Sequence, residues 1–439
     1  MTSELGGESA GGDSNRVEQR NRWLAGMSIA DQGLVSACGF LTVVAVGRGV
    51  SMQSLGVYSL AYSLIVLVST LIRALIVTPY TVFSRRETGL RREQMRGACR
   101  RLLLISLTTI ALTTAVIGAV AFLAGSELWL IVCATGAAMA GVSIREFSRR
   151  LSFSDLRFSD ALIMDTAGGF ILLTYLAVEF RSLSVPAVLI VLAISSALPA
   201  ITLLWVRRGD FSIAKESLRD DIVRNLTFGR WVAVSQVTHA AHGYVVHWIL
   251  AAVGGVATTG LYAAAWSVVQ LASPFIQGVG NFAGPCLSNT LAQGGESQLR
   301  KGVRQLSRVL ALTLAPYTLA LAVAGPSIHG LLFNSEETPL RWLTGILALG
   351  LSLGAVVLPH GKAISVMEKP YWNSLLNGVN LVSTCVVVLI LTRIAGLMGA
   401  ACGLLFVTTM ISFAKFCASE YLLARHNDRP VESRLAEAR

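Results

Sequence analysis

Charge is scarce in this chain: Asp, Glu, Lys and Arg make up 14% of its 439 residues, against 54% hydrophobic ones. An average soluble domain carries about 25% charged residues, so a water-facing surface of ordinary composition is excluded, and the mean hydropathy of +0.63 agrees. Runs of roughly 10 alternating residues are absent, which excludes a closed β-barrel. The first 21 residues lack an apolar core of the signal-peptide type and are predicted to form a disordered tail. The seven cysteines, Cys38, Cys99, Cys133, Cys286, Cys385, Cys402 and Cys417, lack metal-ligand spacing and are expected to be reduced, packed residues. No phosphate-binding loop occurs, since Gly361-Lys362-Ala363 lacks both the upstream glycine and the hydroxyl residue. Neither a metal nor a cofactor is therefore expected.

What the chain does have is apolar length. A membrane-crossing helix needs about 20 mainly apolar residues. Such stretches occur near residues 24–47, 54–82, 102–123, 127–144, 160–178, 185–206, 229–253, 258–283, 306–332, 340–361, 373–394 and 397–424. The fold class predicted is an all-α polytopic membrane protein with about 12 spans.

Charge orients them. Of the 36 Lys and Arg, 30 fall in the two tails and the five connections on the same side; Arg48, Arg181, Arg341 and Arg393 fall opposite, and Arg73 and Lys415 lie within spans. Because cytoplasmic loops collect Lys and Arg, both termini are expected in the cytoplasm. The seven arginines from Arg85 to Arg101 read as an orientation signal and a contact with anionic membrane lipids, not as a nucleic-acid patch.

The two halves repeat. Arg22-Trp23 recurs as Arg230-Trp231, Gly56-Val57-Tyr58 as Gly260-Leu261-Tyr262, and Pro79 as Pro285, at offsets of 208, 204 and 206. An even number of spans per copy makes them parallel repeats about an axis along the membrane normal. The organisation expected is a tail at 1–21, a six-helix bundle at 22–206, a polar linker at 207–228 with an amphipathic piece around 213–226, a second bundle at 229–424 and a tail at 425–439, with a central cleft between the bundles.

Ionisable groups in hydrocarbon face a partner or a cavity. At about 1.5 Å per helical residue, Asp31, Asp165 and His239 lie roughly 12 Å from the cytoplasmic markers and Arg73 roughly 18 Å. One reading makes them a cavity floor in which Arg73 meets an anionic head group while Asp31, Asp165 and His239 set the charge or carry a proton. Another makes Asp31 and Arg73 an ion pair locking the first two spans. His242 and His247 continue a stripe from His239, with no carboxylate or cysteine placed to complete a metal site. Lys415 is expected to snorkel to the interface.

The chain resembles the polysaccharide flippases of the multidrug, oligosaccharidyl-lipid and polysaccharide exporter superfamily. The resemblance is carried by Asp31-Gln32 and Ser36, Val46-Gly47-Arg48-Gly49, Gly56-Val57-Tyr58, Arg73-Ala74-Leu75, Pro79, the run Arg145-Glu146-Phe147-Ser148-Arg149-Arg150, Asp165 and Gly260-Leu261-Tyr262. It implies export of a polyprenyl-diphosphate-linked saccharide across the cytoplasmic (inner) membrane by alternating access of two lobes. Its partners would be that lipid-linked substrate, the membrane lipids and other cell-envelope glycan biosynthesis proteins. The residues expected to contact substrate are Arg73, Arg48 and Gln32; those expected to couple or gate are Asp31, Asp165, His239 and His242. The second half departs from this pattern, with Val253-Gly254-Gly255-Val256 at the place of Arg48. A proton- or cation-coupled drug exporter of the same architecture is the main alternative. A glycan polymerase or ligase is opposed by outer connections of about ten residues or fewer, too short to hold catalytic groups; a scaffold would tolerate loss of Arg73 and Asp31.

Overall fold

The computed structural model describes residues 8–84, 89–207, 218–334 and 340–427. Its regular structure is helical: α1 Glu8–Gly49, α2 Met52–Ile72, a π-helical turn Arg73–Val77, α3 Thr78–Phe83, α4 Gly89–Leu123, α5 Leu128–Ser154, α6 Phe158–Val178 and α7 Val185–Val206. There follow α8 Leu218–Gly254, α9 Val256–Val269, a 3-10 turn Gln270–Ala272, α10 Ser273–Phe333, α11 Leu340–Val356, α12 Leu358–Val366 and α13 Pro370–Asn427. Among the described residues, nine helical stretches are long and apolar enough to cross a membrane. Two of them, of 78 and 54 residues, exceed one crossing, which takes about 20 residues.

The chain turns back inside those long helices where glycine permits it. Gly295 (φ 65°) breaks α10 and Gly396 (φ 56°) breaks α13, a left-handed backbone that costs glycine little. The stretches expected at 258–283 and 306–332, and at 373–394 and 397–424, are thus joined through hinges of one residue, Gly295, and of two, Ala395 and Gly396, in otherwise continuous helix. Prolines at 199, 285, 316 and 326 sit inside helices, where each removes a backbone donor.

Three boundaries differ from expectation. Residues 8–21, expected as part of a disordered tail, continue α1; this polar stretch contains no proline to stop the helix, and its Glu, Gln and Arg are good helix formers. The second half of the 207–228 linker is the start of α8, which runs unbroken into the seventh apolar stretch; residues 208–217 lie outside the described part. The C-terminal tail begins as helix up to Asn427, and residues 1–7, 335–339 and 428–439 also lie outside it. Of the cysteines, all free, Cys133, Cys402 and Cys417 are exposed and not packed as expected. They share the molecule's outside with Phe170, Leu123 and Ile394, an apolar exterior suited to lipid.

The chain divides into two compact units. The first comprises Met1–Thr42, Val68–Phe180 and Pro186–Val232. Its core joins Ile72, Ile76, Tyr80, Met95, Cys99, Leu102, Phe147 and Leu151, so the π turn and α3 pack against α4 and α5. Gly229 on α8 lies against the turn, where an added methyl would meet the Leu75 backbone at 2.8 Å. Part of the basic run is held by carboxylates: Arg91 is bidentate to Asp221 at 2.9 and 2.6 Å, and Arg92 and Arg96 clasp Asp155 at 2.7 and 2.6 Å. Arg96 also donates to the Tyr80 hydroxyl at 2.8 Å. These arginines fasten α4 to α8 and to the end of α5, a role that the orientation reading of the run omits.

The second unit comprises Val43–Leu67, Arg181–Val185 and Ala233–Arg439. In it, α2 crosses α9 at a close, self-complementary contact: a methyl on Gly56 would strike the Val256 carbonyl oxygen, and one on Gly260 the Met52 carbonyl oxygen. Gly56 and Gly260, like Met52 and Val256, are 204 residues apart, so the repeated glycines meet each other's helix in matching positions, as across a two-fold. The contact requires the Gly-x-Tyr starts to lack a Cβ. Tyr58 stacks on Tyr62 and Tyr262 on Trp266 with ring centroids 5.9 and 6.2 Å apart, two and six residues beyond each glycine.

Candidate functional site

In the first unit an ion network is centred on α5. Residues 145, 146, 149 and 150 lie three to five apart or adjacent, so they crowd one side and end of that helix. Arg149 donates through Nε to Asp31 Oδ2 at 2.9 Å, and its Nη2 reaches Gln32 Oε1 at 3.1 Å. The same Nε stands 3.1 Å from Asp165 Oδ2, and Arg145 donates to Asp165 Oδ1 at 2.7 Å. Glu146 accepts from Arg150 at 2.8 Å and stands 3.5 Å from Arg73. Three helices are joined, α1 through Asp31 and Gln32, α5, and α6 through Asp165, with the π turn at its edge through Arg73.

Burial and charge grade across this network. The Asp31 and Asp165 side chains are 1% and 0% exposed, Arg149 8%, and Arg73 and Arg150 31% and 39%. Burying a charge is tolerable only with a partner, and Arg149 supplies one to both aspartates. Even so, Asp31 Oδ1 and Asp165 Oδ2 accept no hydrogen bond. Among the described residues of the network, four guanidiniums face three carboxylates, and the positive surplus lies toward the exposed edge. Arg73 opens the π turn, and Thr78 bonds its carbonyl through both N–H and hydroxyl; such single π turns inside α-helices occur often at functional sites.

The sequence residues divide between the units. Asp31, Gln32, Arg73 and Asp165 gather in the network. The partner of Asp31 is Arg149, which supersedes the Asp31–Arg73 pair, and Arg73 reaches Glu146 instead. What sequence reasoning missed is the pairing role of Arg145, Glu146, Arg149 and Arg150. The signal was available, since two intramembrane aspartates need cations and this run offers them at i, i+4 spacing.

Arg48, His239 and His242 belong to the second unit. Arg48 donates to the Leu331 carbonyl at 3.2 Å, in the last turn of α10, where a cation complements the helix dipole. His242 Nδ1 contacts the Thr384 hydroxyl at 3.1 Å. His247 is buried edge-on against Tyr262 with centroids 5.0 Å apart. Lys415, expected to snorkel, is held instead by Asn377 Oδ1 at 3.4 Å. Among the described residues, no three His, Cys, Asp or Glu side chains are grouped to hold a metal.

The arrangement of helices is that of a known class of transporter. A structure described as "Inward-facing conformation of a multidrug resistance MATE family transporter of the MOP superfamily" superposes with a TM-score of 0.72 over 88% of this chain and 94% of that one, at 15% identity. The "Outward-facing conformation" of such a transporter gives 0.67 over 92% and 96%, at 12% identity. The chain thus has the multi-pass helical fold of these MOP-superfamily transporters. A family described as "Polysaccharide biosynthesis protein" matches residues 102–337, more than half of the chain, and the chain belongs to it. The "Probable low-salt glycan biosynthesis flippase Agl15" of Haloferax volcanii is 25% identical over 220 residues, which are 49% of this chain and 44% of that protein. The match therefore spans less than half the length of that curated relative.

Proposed function

We propose that this transporter flips a polyprenyl-diphosphate-linked saccharide from the cytoplasmic to the outer leaflet of the cytoplasmic membrane. Two six-helix bundles, 22–206 and 229–424, alternate access to a central cleft, and both termini are cytoplasmic. The observation that carries this reading is the surplus of guanidinium at the half-exposed edge of the α5 network, where Arg73 and Arg150 are 31% and 39% exposed. A planar guanidinium fork matches phosphate oxygens. Family membership and the relative's description support the same substrate class. The aspartates are already matched to arginines, which leaves them poorly suited to bind a drug cation directly.

Asp31 and Asp165 serve as the coupling pair. Each keeps one buried oxygen without a hydrogen-bond partner, and a single proton held between two carboxylates is a common arrangement when both cannot remain ionised. No nucleotide is required, because a membrane potential acts on a moving charge with about 2.3 kcal/mol per 100 mV. The reading is tested in proteoliposomes with a fluorescent polyprenyl-diphosphate sugar. The unmodified chain flips it, Arg73→Ala does not, and Asp31→Asn with Asp165→Asn removes the response to a proton gradient. Flipping no faster than in empty liposomes, across several sugars, would move the assignment to a drug exporter.

A further inference from the structure

Among the described residues, the second unit holds a cation that no carboxylate pairs. Between Glu368 and Glu420 the sequence contains no Asp or Glu, and none occurs between Asp221 and Glu296. Lys415 lies in the first of these acid-free stretches, on α13 after its break at Gly396, and His239 and His242 lie in the second, on α8. Glu420 is engaged elsewhere, by Arg300 at 3.2 Å and Arg304 at 3.6 Å. Among the described residues the Lys415 ammonium has a single hydrogen bond, to Asn377 Oδ1 at 3.4 Å. An ammonium carries three donors.

What surrounds it is polar and neutral. Asn377, Asn380 and Thr384 follow one another at i, i+3 and i+7 on α13 before the break, so they share a face. Thr384 donates its hydroxyl hydrogen to the Asn380 carbonyl at 2.7 Å. Its oxygen must then accept from His242 Nδ1, 3.1 Å away, which fixes the imidazole with hydrogen on Nδ1 and leaves Nε2 for another partner. Asn380 is 8% exposed and its Oδ1 accepts no hydrogen bond, so a buried amide on the same face is left incompletely satisfied.

A lysine whose aliphatic stem faced lipid would carry its head to the interface; this one turns its head onto an amide between helices. A charge kept inside a membrane bundle without a counter-ion marks a pathway or a ligand contact. We infer that Lys415, with Asn377 and Asn380, forms an oxyanion site in the second unit that receives the phosphate or carboxylate groups of the transported molecule. The identity of that molecule rests on the flippase reading; the site's preference for an oxyanion does not. Ammonium and amide N–H donate to the oxyanion, and Asn380 and Asn377 can present either end of the amide with no change of shape.

The test is equilibrium binding to the full chain in nanodiscs of uncharged lipid, with farnesyl diphosphate, inorganic diphosphate, a uronic acid and farnesol as probes. Farnesyl diphosphate is expected to bind and farnesol not to. Lys415→Gln is expected to weaken binding about tenfold or more, the scale of one desolvated charge contact, while Lys415→Arg keeps most of it and so excludes misfolding as the cause. Competition by inorganic diphosphate assigns the site to the head group, and competition by the uronic acid alone assigns it to an acidic sugar. Equal binding by unmodified and Lys415→Gln protein, or no binding of any anion, would overturn the site. Anion binding that depends on Lys415 without flipping would leave the site standing and remove the flippase reading; flipping indifferent to Lys415→Gln would do the reverse.

Discussion

The two units treat intramembrane charge in opposite ways. In the first, the buried Arg149 stands against Asp31 and Asp165 within 2.5–3.1 Å. In the second, Lys415 stands against the Asn377 amide, in a stretch of sequence without acids. In a paired network, removing one member strands the others. An unpaired cation is a cost to the apo protein, offset only when something negative arrives.

That contrast can be broken most forcefully at its centre. Arg149→Leu leaves two aspartates buried without their shared cation and is expected to destabilise the protein by about 3–5 kcal/mol, read as a large fall in unfolding temperature in detergent. An unchanged unfolding temperature would mean that Asp31 and Asp165 are not held by charge. Adding Asp31→Asn to Arg149→Leu is expected to recover about 1–3 kcal/mol of that loss, since residues in one network couple; strictly additive losses would show the two sites to be independent.

Lys415→Leu should move stability in the other direction. A charged residue costs about 2.5–3.5 kcal/mol on insertion scales, part of which Asn377 offsets, so the variant is expected to be more heat-stable by about 1–2 kcal/mol in the absence of anions. A loss comparable to that of Arg149→Leu would erase the distinction between the units. The smallest stability effect is expected at Arg73→Ala, below about 1 kcal/mol for a 3.5 Å pair at a half-exposed site, together with loss of flipping. If Arg73→Ala instead unfolds the protein as Arg149→Leu does, Arg73 belongs to the structural part of the network and not to its substrate-facing edge.

Much of this was legible in the chain. Apolar runs of about 20 residues can satisfy their backbone in lipid only as helices, and so the all-helical membrane class followed from composition alone. The repeated Gly-x-Tyr starts marked corresponding positions, and the structure gives their glycines a shared purpose at the crossing of α2 and α9. Asp31, Asp165 and Arg73 drew notice because ionisable groups are rare in spans. Their partners did not, because the run from Arg145 to Arg150 lies beyond the apolar stretch at 127–144 and resembled loop charge. Helix ends were placed short for a related reason: polar residues such as those at 8–21 and 218–228 end a hydropathy signal without ending a helix.

By itself, then, the sequence determined where the chain is helical within the membrane, that its halves correspond, and which few residues carry charge there, since each follows from the composition of a local stretch. Only the tertiary structure decided which charges meet. Asp31 and Arg149 are 118 residues apart and Lys415 and Asn377 are 38 apart, and whether a buried charge is neutralised or left open depends on which helices pack side by side, a matter of contact between faces that no single stretch encodes.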